Sequence, residues 1–469
     1  MASGQHHWRL LIALLAGAAP ASARDGAYDF TRHGDAVSGV LRLPTEPRGE
    51  CSQCHDQHAS RDGQATAGPF AFALFAPDDN TLCNGCHDTP PPASAYLGNV
   101  LYGQSAHALS TAMVWPGPSP LARPSSDWGK CVNCHTPHGA RDATGVIPSL
   151  LSGREEAPCL ACHDGSPAMT DVNTQLAKAF RHPVTTITGK HAVDEGGVPE
   201  RFGQAQGNRH SECPDCHNPH AAKDSSPPPV APAARGTQAY VSRVRVSNGT
   251  AGAQPMYTWA AANDVSFPNE YEICFKCHSS WTTQPMGQTD FAVALNANNP
   301  SFHPVEAAGT NPGVLAASFV APWTAASTVY CSDCHGSDDP SVPGPHGSLY
   351  QYLLKAPFQV GSVSRTTTSS ELCFLCHSFD TYANDTAPAA ALSASRFNPP
   401  QAAGGHALHV ATNRVPCYAC HVTHGSSTQP FLLVLGRSPG ISAFFAQANG
   451  GTCTATCHAQ KTYTVNYGR

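Results

Sequence analysis

Apolar residues are concentrated near the amino terminus and elsewhere come in short groups. The run from Leu10 to Ala19 is the most apolar stretch, and no later stretch reaches the roughly 18 apolar residues expected of a membrane-spanning helix. Turn-forming residues interrupt the rest of the chain, among them 40 Gly and 41 Pro. We therefore expect short α-helices and extensive coil rather than long helices.

The amino-terminal apolar run has the features of a secretory signal. Arg9 supplies a positive charge before it, and Ala21-Ser22-Ala23 offers a small-residue cleavage site. A short buried helix is the alternative interpretation, but polar and turn-rich sequence follows at once. We expect residues 1–23 to be removed and the mature chain to be exported, to the periplasm or to the extracellular face of the outer membrane.

One segment shows the alternation typical of a β-strand. Residues 240–246 alternate, Asn248-Gly249 follows, and a second short strand is expected around residues 256–259. The preceding SSPPPVAP segment, 225–232, is typical of an extended linker. Residues 225–265 are therefore predicted to form a small β-hairpin insertion, which is either a docking element or a surface loop.

Capping residues predict two helix starts. Residues 369–370 are both Ser and precede the segment 371–376, while Asn80 or Thr81 precedes Cys83. Each is expected to begin a helix that carries a cysteine pair.

Composition and charge exclude several classes of protein. Charged residues make up 13% of the chain, too few for a disordered polyelectrolyte. The net charge is −6 and no Lys/Arg-rich run is present, so a nucleic-acid partner is not expected. The exceptional feature is the content of 20 Cys and 25 His.

The cysteines form ten pairs, and a histidine follows each pair directly. The pairs are Cys51/Cys54, Cys83/Cys86, Cys131/Cys134, Cys159/Cys162, Cys213/Cys216, Cys274/Cys277, Cys331/Cys334, Cys373/Cys376, Cys417/Cys420 and Cys453/Cys457. The histidines are His55, His87, His135, His163, His217, His278, His335, His377, His421 and His458.

C-x-x-C-H is the attachment signature of c-type haem. Residues i, i+3 and i+4 of a helical turn share one face, so two thiols can form thioethers with one porphyrin while the imidazole binds its iron. Zinc binding, a thioredoxin-like motif and disulfides each leave the ten adjacent histidines unexplained. The sequence predicts ten covalently attached haem c groups, although the C-x-x-x-C-H spacing at Cys453 must bulge the turn.

The remaining histidines are periodic and define five dihaem repeats. In each repeat an upstream His precedes the first motif, and a further His usually follows that motif before the second motif begins. The expected repeats are 24–100, 101–175, 176–290 (with the insertion at 225–265), 291–395 and 396–469.

Two additional histidines per repeat match the number of sixth ligands that ten haems require. We expect bis-histidine coordination by these distal residues: His33, His58, His107, His138, His182, His220, His303, His346, His406 and His424. His409 is an alternative to His406, and His191 or His210 to His182; these three are otherwise interpreted as solvated side chains.

The histidine three residues after a motif cannot reach the far side of its own haem. His138, for example, lies on the same side of the ring as His135, so it must bind a neighbouring haem. The same argument applies to His58, His220 and His424. Closely packed haems are therefore predicted.

This arrangement resembles the doubled C-x-x-C-H multihaem cytochromes, which serve as periplasmic and extracellular electron conduits in metal-respiring bacteria. The resemblance runs from His33 to His458 through elements such as CHTPHG and CHNPH. It implies a multihaem cytochrome c fold, with short helices and coil around a haem chain. Redox proteins or extracellular electron acceptors are the implied partners.

Bis-histidine coordination favours electron transfer by hopping rather than catalysis, because both axial positions of the iron are filled. A multihaem reductase, which needs an open position, is one alternative. A filament-forming or porin-associated conduit subunit is another, since ligand counting does not distinguish these assemblies. No catalytic residues are predicted.

Overall fold

The computed structural model describes most of the chain, in thirteen segments. They are residues 27–56, 60–61, 64–65, 70–87, 101–110, 129–187, 210–262, 264, 266–282, 287–311, 313–360, 367–398 and 404–465. The predicted signal segment 1–23, His58 and His191 lie outside the described residues.

The helices are short, as the frequent Gly and Pro residues require. They are α1 (Asn80–His87), α2 (Ala106–Leu109), α3 (Ala157–Leu160), α4 (Val172–Leu176), α5 (Cys213–Cys216), α6 (Glu270–His278), α7 (Phe291–Ala294), α8 (Cys331–Cys334), α9 (Phe379–Tyr382) and α10 (Ala389–Ala394). Single 3-10 turns lie at Tyr28–Phe30, Cys51–Gln53, Ala71–Ala73, Tyr102–Gln104, Cys131–Asn133, Pro148–Leu150, Gly236–Gln238, Ala316–Ser318, Gln351–Leu353, Leu372–Leu375 and Cys417–Ala419. A π-helical turn spans Ala407–Thr412.

The strands form small antiparallel sheets. They are β1 (Ser60–Arg61), β2 (Gln64–Ala65), β3 (Arg141–Asp142), β4 (Gly145–Val146), β5 (Phe180–Arg181), β6 (Arg243–Ser247), β7 (Met256–Ala260), β8 (Ser301–Phe302), β9 (Gly347–Ser348), β10 (Gly425–Ser426), β11 (Ile441–Gln447), β12 (Gly450–Ala455) and β13 (Lys461–Thr464). Consecutive strands pair as β1–β2, β3–β4, β6–β7 and β11–β12–β13, whereas β5–β9 and β8–β10 join distant segments. The fold is thus mostly coil with short helices and small sheets, compatible with a multihaem cytochrome.

The chain forms two compact units. The first contains residues 1–91 and 113–161, and the second contains residues 92–112 and 162–469. The first unit carries the first three cysteine pairs, and six complete pairs lie in the second. The five dihaem repeats remain a prediction, because a repeat of sequence need not fold as a separate unit.

Apolar packing in the described part of the chain is divided among small clusters. Phe275 of α6 packs with Ala292, Leu295 and Val305, and Phe374 forms another cluster near α9. Polar groups are buried between them: Arg243 of β6 is fully buried. Its Nε lies 3.2 Å from the Glu272 carboxylate, and its Nη2 lies 3.0 Å from that of Asp264.

The predicted β segment does contain two paired strands. β6 and β7 are antiparallel, with Arg243 opposite Ala260 and Ser247 opposite Met256. The expectation that this segment is an insertion stays a prediction. The preceding Pro-rich segment packs against the fold, because the Tyr330 hydroxyl donates to both Pro229 O and Ala233 O, at 2.8 Å each. It is therefore anchored rather than a free linker.

Both predicted helix caps are wrong in detail. Residues 372–375 form a 3-10 turn whose N-cap residue is Glu371, so the serines at 369–370 do not cap it. Before Cys83 the Asp79 carboxylate accepts from Thr81 N at 2.7 Å. The Asn80 side chain instead accepts from Cys131 N at 2.8 Å, and this hydrogen bond links two cysteine motifs.

No helix in the described ranges is long and apolar enough to cross a membrane.

Candidate functional site

The C-x-x-C-H motifs lie on helical turns, as their spacing predicts. In six of them the histidine N–H donates to the carbonyl of the first cysteine, four residues earlier, at 2.8–3.0 Å. These bonds are His55–Cys51, His135–Cys131, His217–Cys213, His335–Cys331, His377–Cys373 and His421–Cys417. One turn therefore brings two thiols and an imidazole together.

A polar residue between the two cysteines starts several of these turns. Asn133 accepts from Lys130 N at 2.6 Å, Asp215 from Glu212 N at 2.7 Å, and Asp333 from Tyr330 N at 2.8 Å. Each bond satisfies a backbone donor just before the turn. The middle residues of the motif therefore have a structural role.

The tenth motif does not lie on a bulged helical turn, so that prediction is wrong. Cys453 belongs to β12, the central strand of the carboxyl-terminal sheet, where it lies opposite Phe444 of β11 and Lys461 of β13. Cys457 and His458 follow in the bend after the strand. An extended strand accommodates the additional residue between the thiols.

Motif histidines face a second histidine across a constant distance. Among the described residues nine such pairs have ring centroids 6.0–6.5 Å apart. They are His55–His138, His87–His33, His163–His107, His217–His346, His278–His182, His335–His424, His377–His303, His421–His406 and His458–His409.

This separation fits a metal ion between two imidazoles. A metal–nitrogen bond of about 2 Å on each side, plus about 1 Å from each nitrogen to its ring centroid, spans about 6 Å. Stacked rings in van der Waals contact would lie closer together. The nine pairs thus have the dimensions of axial ligands on opposite sides of one iron.

Hydrogen bonds fix the tautomer of many of these rings. A backbone carbonyl only accepts, so an Nδ1 atom next to one must carry the proton, which leaves Nε2 with its lone pair. Ten described histidines have such an Nδ1–carbonyl contact, at 2.5–3.0 Å: His55, His107, His135, His182, His217, His303, His335, His409, His421 and His458.

Burial favours the neutral form of several paired rings. It lowers the pKa of His346 and His377 to about 4, and that of His406 and His424 to about 3, with neighbouring histidines adding to the shift. A neutral imidazole is the form that binds iron. The surroundings therefore favour ligation at neutral pH.

A recurrent turn that sequence reasoning missed holds four motif histidines. We call these segments the clamp turns: 72–73, 149–150, 352–353 and 431–432. In each, two consecutive non-Gly residues have φ of 53–62°. The carbonyl of the first residue accepts from a motif histidine at 2.7–3.0 Å: His55 to Phe72, His135 to Ser149, His335 to Tyr352 and His421 to Phe431.

The clamp turns have a sequence signal, although a weak one. Each is completed by Leu, giving the tripeptides FAL, SLL, YLL and FLL, and the carbonyl lies 10 to 17 residues after the histidine it binds. Nothing in these residue types announces left-handed backbone, which is unfavourable for them.

Short ladders bring two distal histidines side by side. His303 directly follows β8 and His424 directly precedes β10, so the two residues are adjacent at the end of this ladder. His303 N donates to His424 O at 2.8 Å. His182 N likewise donates to His346 O at 3.3 Å beside β5–β9. Each ladder therefore brings together two histidines that face different motifs.

The structure brings together most of the predicted distal residues. His138, His346 and His424 each face the first-motif histidine of the preceding predicted repeat, and the expectation that His138 and His424 bind a neighbouring haem stays a prediction. His409 faces His458 while His406 faces His421, so both are used rather than one replacing the other. His220 packs against Tyr102, with centroids 5.9 Å apart, and His58 is outside the described residues, so the assignment of both as distal ligands stays a prediction.

The reserve histidine His210 is buried. Its Nε2 lies 3.7 Å from a carboxylate oxygen of Glu212. His191 is outside the described residues, so its assignment stays a prediction.

Successive motifs meet at their first cysteines. The thiols of Cys83 and Cys131, of Cys274 and Cys331, and of Cys373 and Cys417 are close enough for each neighbour to raise the pKa of the first-named cysteine. Glu270 lies beside the second of these contacts, where the three ligand atoms are within 4.8 Å of one another. Both thiols belong to C-x-x-C-H motifs, so this cluster marks the meeting of two haem-attachment turns.

The second cysteines of the motifs are not members of these three contacts. The sequence assigns both thiols of a motif the same role. The three contacts between motifs involve first cysteines, whereas Cys86, Cys134, Cys162 and Cys277 each lie three residues further along their turns. Cys86 is exposed, and the other three are half-buried. Their assignment as haem-attachment residues therefore stays a prediction that rests on the motif spacing.

The remaining second cysteines show the same range of exposure. Cys334 and Cys457 are exposed. Four others are half-buried: Cys54, Cys216, Cys376 and Cys420. Partial exposure at this end of the turn is compatible with a porphyrin edge that lies against it.

Repeated C-x-x-C-H turns with facing imidazoles suggest a c-type cytochrome, and the motifs point to covalently bound haem c. Residues 47–91 and 125–168 match the family model described as the doubled CXXCH motif, consistent with the multihaem c-type cytochrome family. No curated protein and no solved structure matches the chain significantly.

Proposed function

We propose that the protein is a decahaem c-type cytochrome that carries electrons between bis-histidine haems in extracytoplasmic respiration. The observation that supports this most is the set of nine imidazole pairs about 6 Å apart, each containing one motif histidine. An iron held by two imidazoles stays six-coordinate in both oxidation states, so little rearranges when an electron arrives or leaves. Such sites suit transfer rather than bond-making chemistry.

Haem c supplies an iron that gains and loses one electron. The chain's part is to hold and tune it: the twenty cysteines attach the porphyrins, the motif histidines bind one side and the facing histidines the other. Carbonyls at Nδ1 orient the rings. His135, whose Nδ1 donates to Ser149 O at 3.0 Å, is proposed to bind the third haem in the same way.

Neighbouring pairs lie close enough to support hopping. In the second compact unit, burial lowers the pKa of six histidines, and Coulomb repulsion from a histidine of an adjacent motif adds to each shift. The shifted histidines and the neighbours that act on them are His163 with His217, His346 with His182, His182 with His335, His424 with His303, His377 with His421, and His406 with His409. The cysteine contacts between motifs support the same proposal.

Aromatic side chains fill the space between several pairs. Tyr382 contacts His377 and His406, with centroids 5.6 and 5.0 Å away, and Phe397 contacts His406 and His409 at 5.0 and 5.9 Å. They exclude water and fix ring positions, which keeps the distance between successive irons short and constant.

A reductase with one open iron is the alternative that the family leaves available. The nine facing pairs argue against it at nine motifs. Redox proteins or extracellular acceptors are the proposed partners. Filament formation or docking with an outer-membrane porin would be further forms of the same electron-transfer role.

Intact mass and carbon monoxide binding test the proposal together. The exported protein should carry ten haem masses, and its reduced spectrum should barely change under carbon monoxide, because no iron has an open position. Fewer attached haems, or carbon monoxide binding at most of them, would contradict the proposal. Binding at a single haem, with turnover of a small oxyanion, would support the reductase instead.

A further inference from the structure

The planes of the paired imidazoles fall into two groups that follow motif order. For first motifs of a repeat the angles between ring planes are small: 23° for His55–His138, 22° for His217–His346, 6° for His335–His424 and 22° for His421–His406. For second motifs they are larger: 39° for His87–His33, 81° for His163–His107, 59° for His278–His182, 62° for His377–His303 and 42° for His458–His409.

The two groups differ in which histidine of the pair donates its Nδ1–H to a backbone carbonyl. In first-motif pairs the motif histidine donates to a carbonyl downstream of its own turn, such as Tyr352 O for His335, at 2.7 Å. In second-motif pairs the distal histidine donates, and in the His458–His409 pair the motif histidine also contacts a carbonyl, that of Ala459, at 2.7 Å. His303 contacts Thr423 O and His107 contacts Pro219 O, at 2.5 and 2.9 Å.

The carbonyl that holds a distal ring belongs to a residue just before another distal histidine. Thr423 precedes His424, and Pro345, which accepts from His182 at 2.5 Å, precedes His346. One dipeptide therefore orients the ligand of a second-motif haem by its carbonyl and supplies the ligand of a first-motif haem by its side chain. This arrangement recurs with the repeat, and so does the difference in angle.

We propose that the haems alternate along the chain between two electronic classes, with near-parallel axial imidazoles at first motifs and crossed imidazoles at second motifs. The inference rests on the proposed function, because it concerns the irons that these pairs would hold. It goes beyond that function by assigning a class to each motif.

The physical consequence is a difference in the iron d orbitals. Parallel imidazoles direct their π electrons at the same iron d orbital, which separates it in energy from its partner. Crossed imidazoles act on both orbitals and leave them nearly equal in energy. The first arrangement gives a rhombic low-spin signal in electron paramagnetic resonance, and the second a strongly anisotropic signal with a larger maximum g value.

Low-temperature electron paramagnetic resonance of the oxidised holoprotein tests the alternation. We expect both signals among the nine paired sites: the four first-motif pairs give rhombic signals, the pairs at 59°, 62° and 81° give the strongly anisotropic signal, and the pairs at 39° and 42° give intermediate maximum g values. A spectrum in which all haems are low-spin but belong to one class would overturn the alternation and leave the proposed function intact. Missing or mainly high-spin haem would contradict the proposed function itself.

Matched substitutions assign the classes to motifs. His303→Ala and His424→Ala remove neighbouring distal residues, from pairs at 62° and 6° respectively. We expect H303A to lose one equivalent of the anisotropic signal, H424A one equivalent of the rhombic signal, and each to gain one high-spin iron. Loss from the same signal in both variants would overturn the proposal.

A second matched pair covers the case in which one of these variants does not fold. His182→Ala removes a member of a 59° pair and His346→Ala a member of a 22° pair, again from adjacent positions of one ladder. The same assignment is expected. Unchanged haem content by intact mass is the control for folding in all four variants.

Discussion

At the residue scale, three kinds of contact specify the imidazoles. A helical turn or a ladder places the ring, a carbonyl at Nδ1 fixes the tautomer of ten described histidines, and burial lowers the pKa of several of them. His406 shows that counting histidines in the sequence does not determine which motif each one faces. The sequence treats it and His409 as alternatives, yet the structure gives each a different motif histidine, because the π-helical turn at 407–412 separates them by three residues.

Substitution of these two histidines distinguishes the interpretations. We expect H406A and H409A each to create one high-spin, carbon monoxide-binding haem, and the double variant to create two. If instead one histidine can replace the other, both single variants would remain fully low-spin. Quantitative carbon monoxide difference spectra provide the count.

Glu306 predicts a pH dependence of stability that has nothing to do with haem. Burial raises its pKa to about 7, although Asn248 donates to the carboxylate at 2.5 Å and opposes the shift. A pKa raised on folding means that the folded state holds the proton more tightly. This contribution to stability is therefore complete below pH 4.5 and is lost as the pH rises toward 7.

Glu306→Gln removes that loss while preserving an acceptor for Asn248. At pH 8 we expect the variant to have a free energy of unfolding higher than wild type by about 1–3 kcal/mol, with little difference at pH 4.5. Urea unfolding at the two pH values measures this. An equal difference at both would show that ionisation of Glu306 is not the cause.

At the element scale, the sequence predicts the turns better than the elements that hold them. The spacing of C-x-x-C-H requires i, i+4 geometry, so its helical turns could be predicted from local sequence alone. The clamp turns could not, because Ser149 or Phe431 in left-handed backbone violates local preference and is imposed by the histidine contact. The ladders also escaped prediction, since His303 and Thr423 are 120 residues apart.

The clamp at Ser149 can be tested with two substitutions. Ser149 has a φ of 57°, so Ser149→Gly should change the free energy of unfolding by less than about 1 kcal/mol. Ser149→Val places a β-branched residue in left-handed backbone and should cost about 1–3 kcal/mol. Denaturant unfolding of both variants gives the comparison; equal effects would mean that this backbone conformation is absent.

The strand-borne tenth motif predicts an outcome opposite to intuition. Deleting Thr454 restores the common C-x-x-C-H spacing, but it also removes the residue that lies opposite Ala443 of β11 and moves Ala455, which lies opposite Ile441, to the other face of β12. We expect the shortened protein to lose one haem mass. Retention of all haems would show that the strand does not determine attachment.

At the scale of the whole molecule, facing histidines connect several of the predicted repeats to the next one. Three first-motif histidines, His55, His217 and His335, face a histidine of the next predicted repeat, whereas His421 faces His406 of its own repeat. His217 faces His346 and His335 faces His424 across predicted repeat boundaries. Motif number and cofactor type followed from the sequence, whereas the partner of each histidine required the fold, because it is set by long-range chain pairing.

The central claim is that each facing pair of histidines holds one iron. Anomalous scattering at the iron absorption edge, from crystals of the holoprotein, locates every iron without reference to the chain. The account predicts one iron midway between the rings of each of the nine pairs, about 3 Å from either centroid. Irons bound to motif histidines with the facing histidine turned away would contradict it.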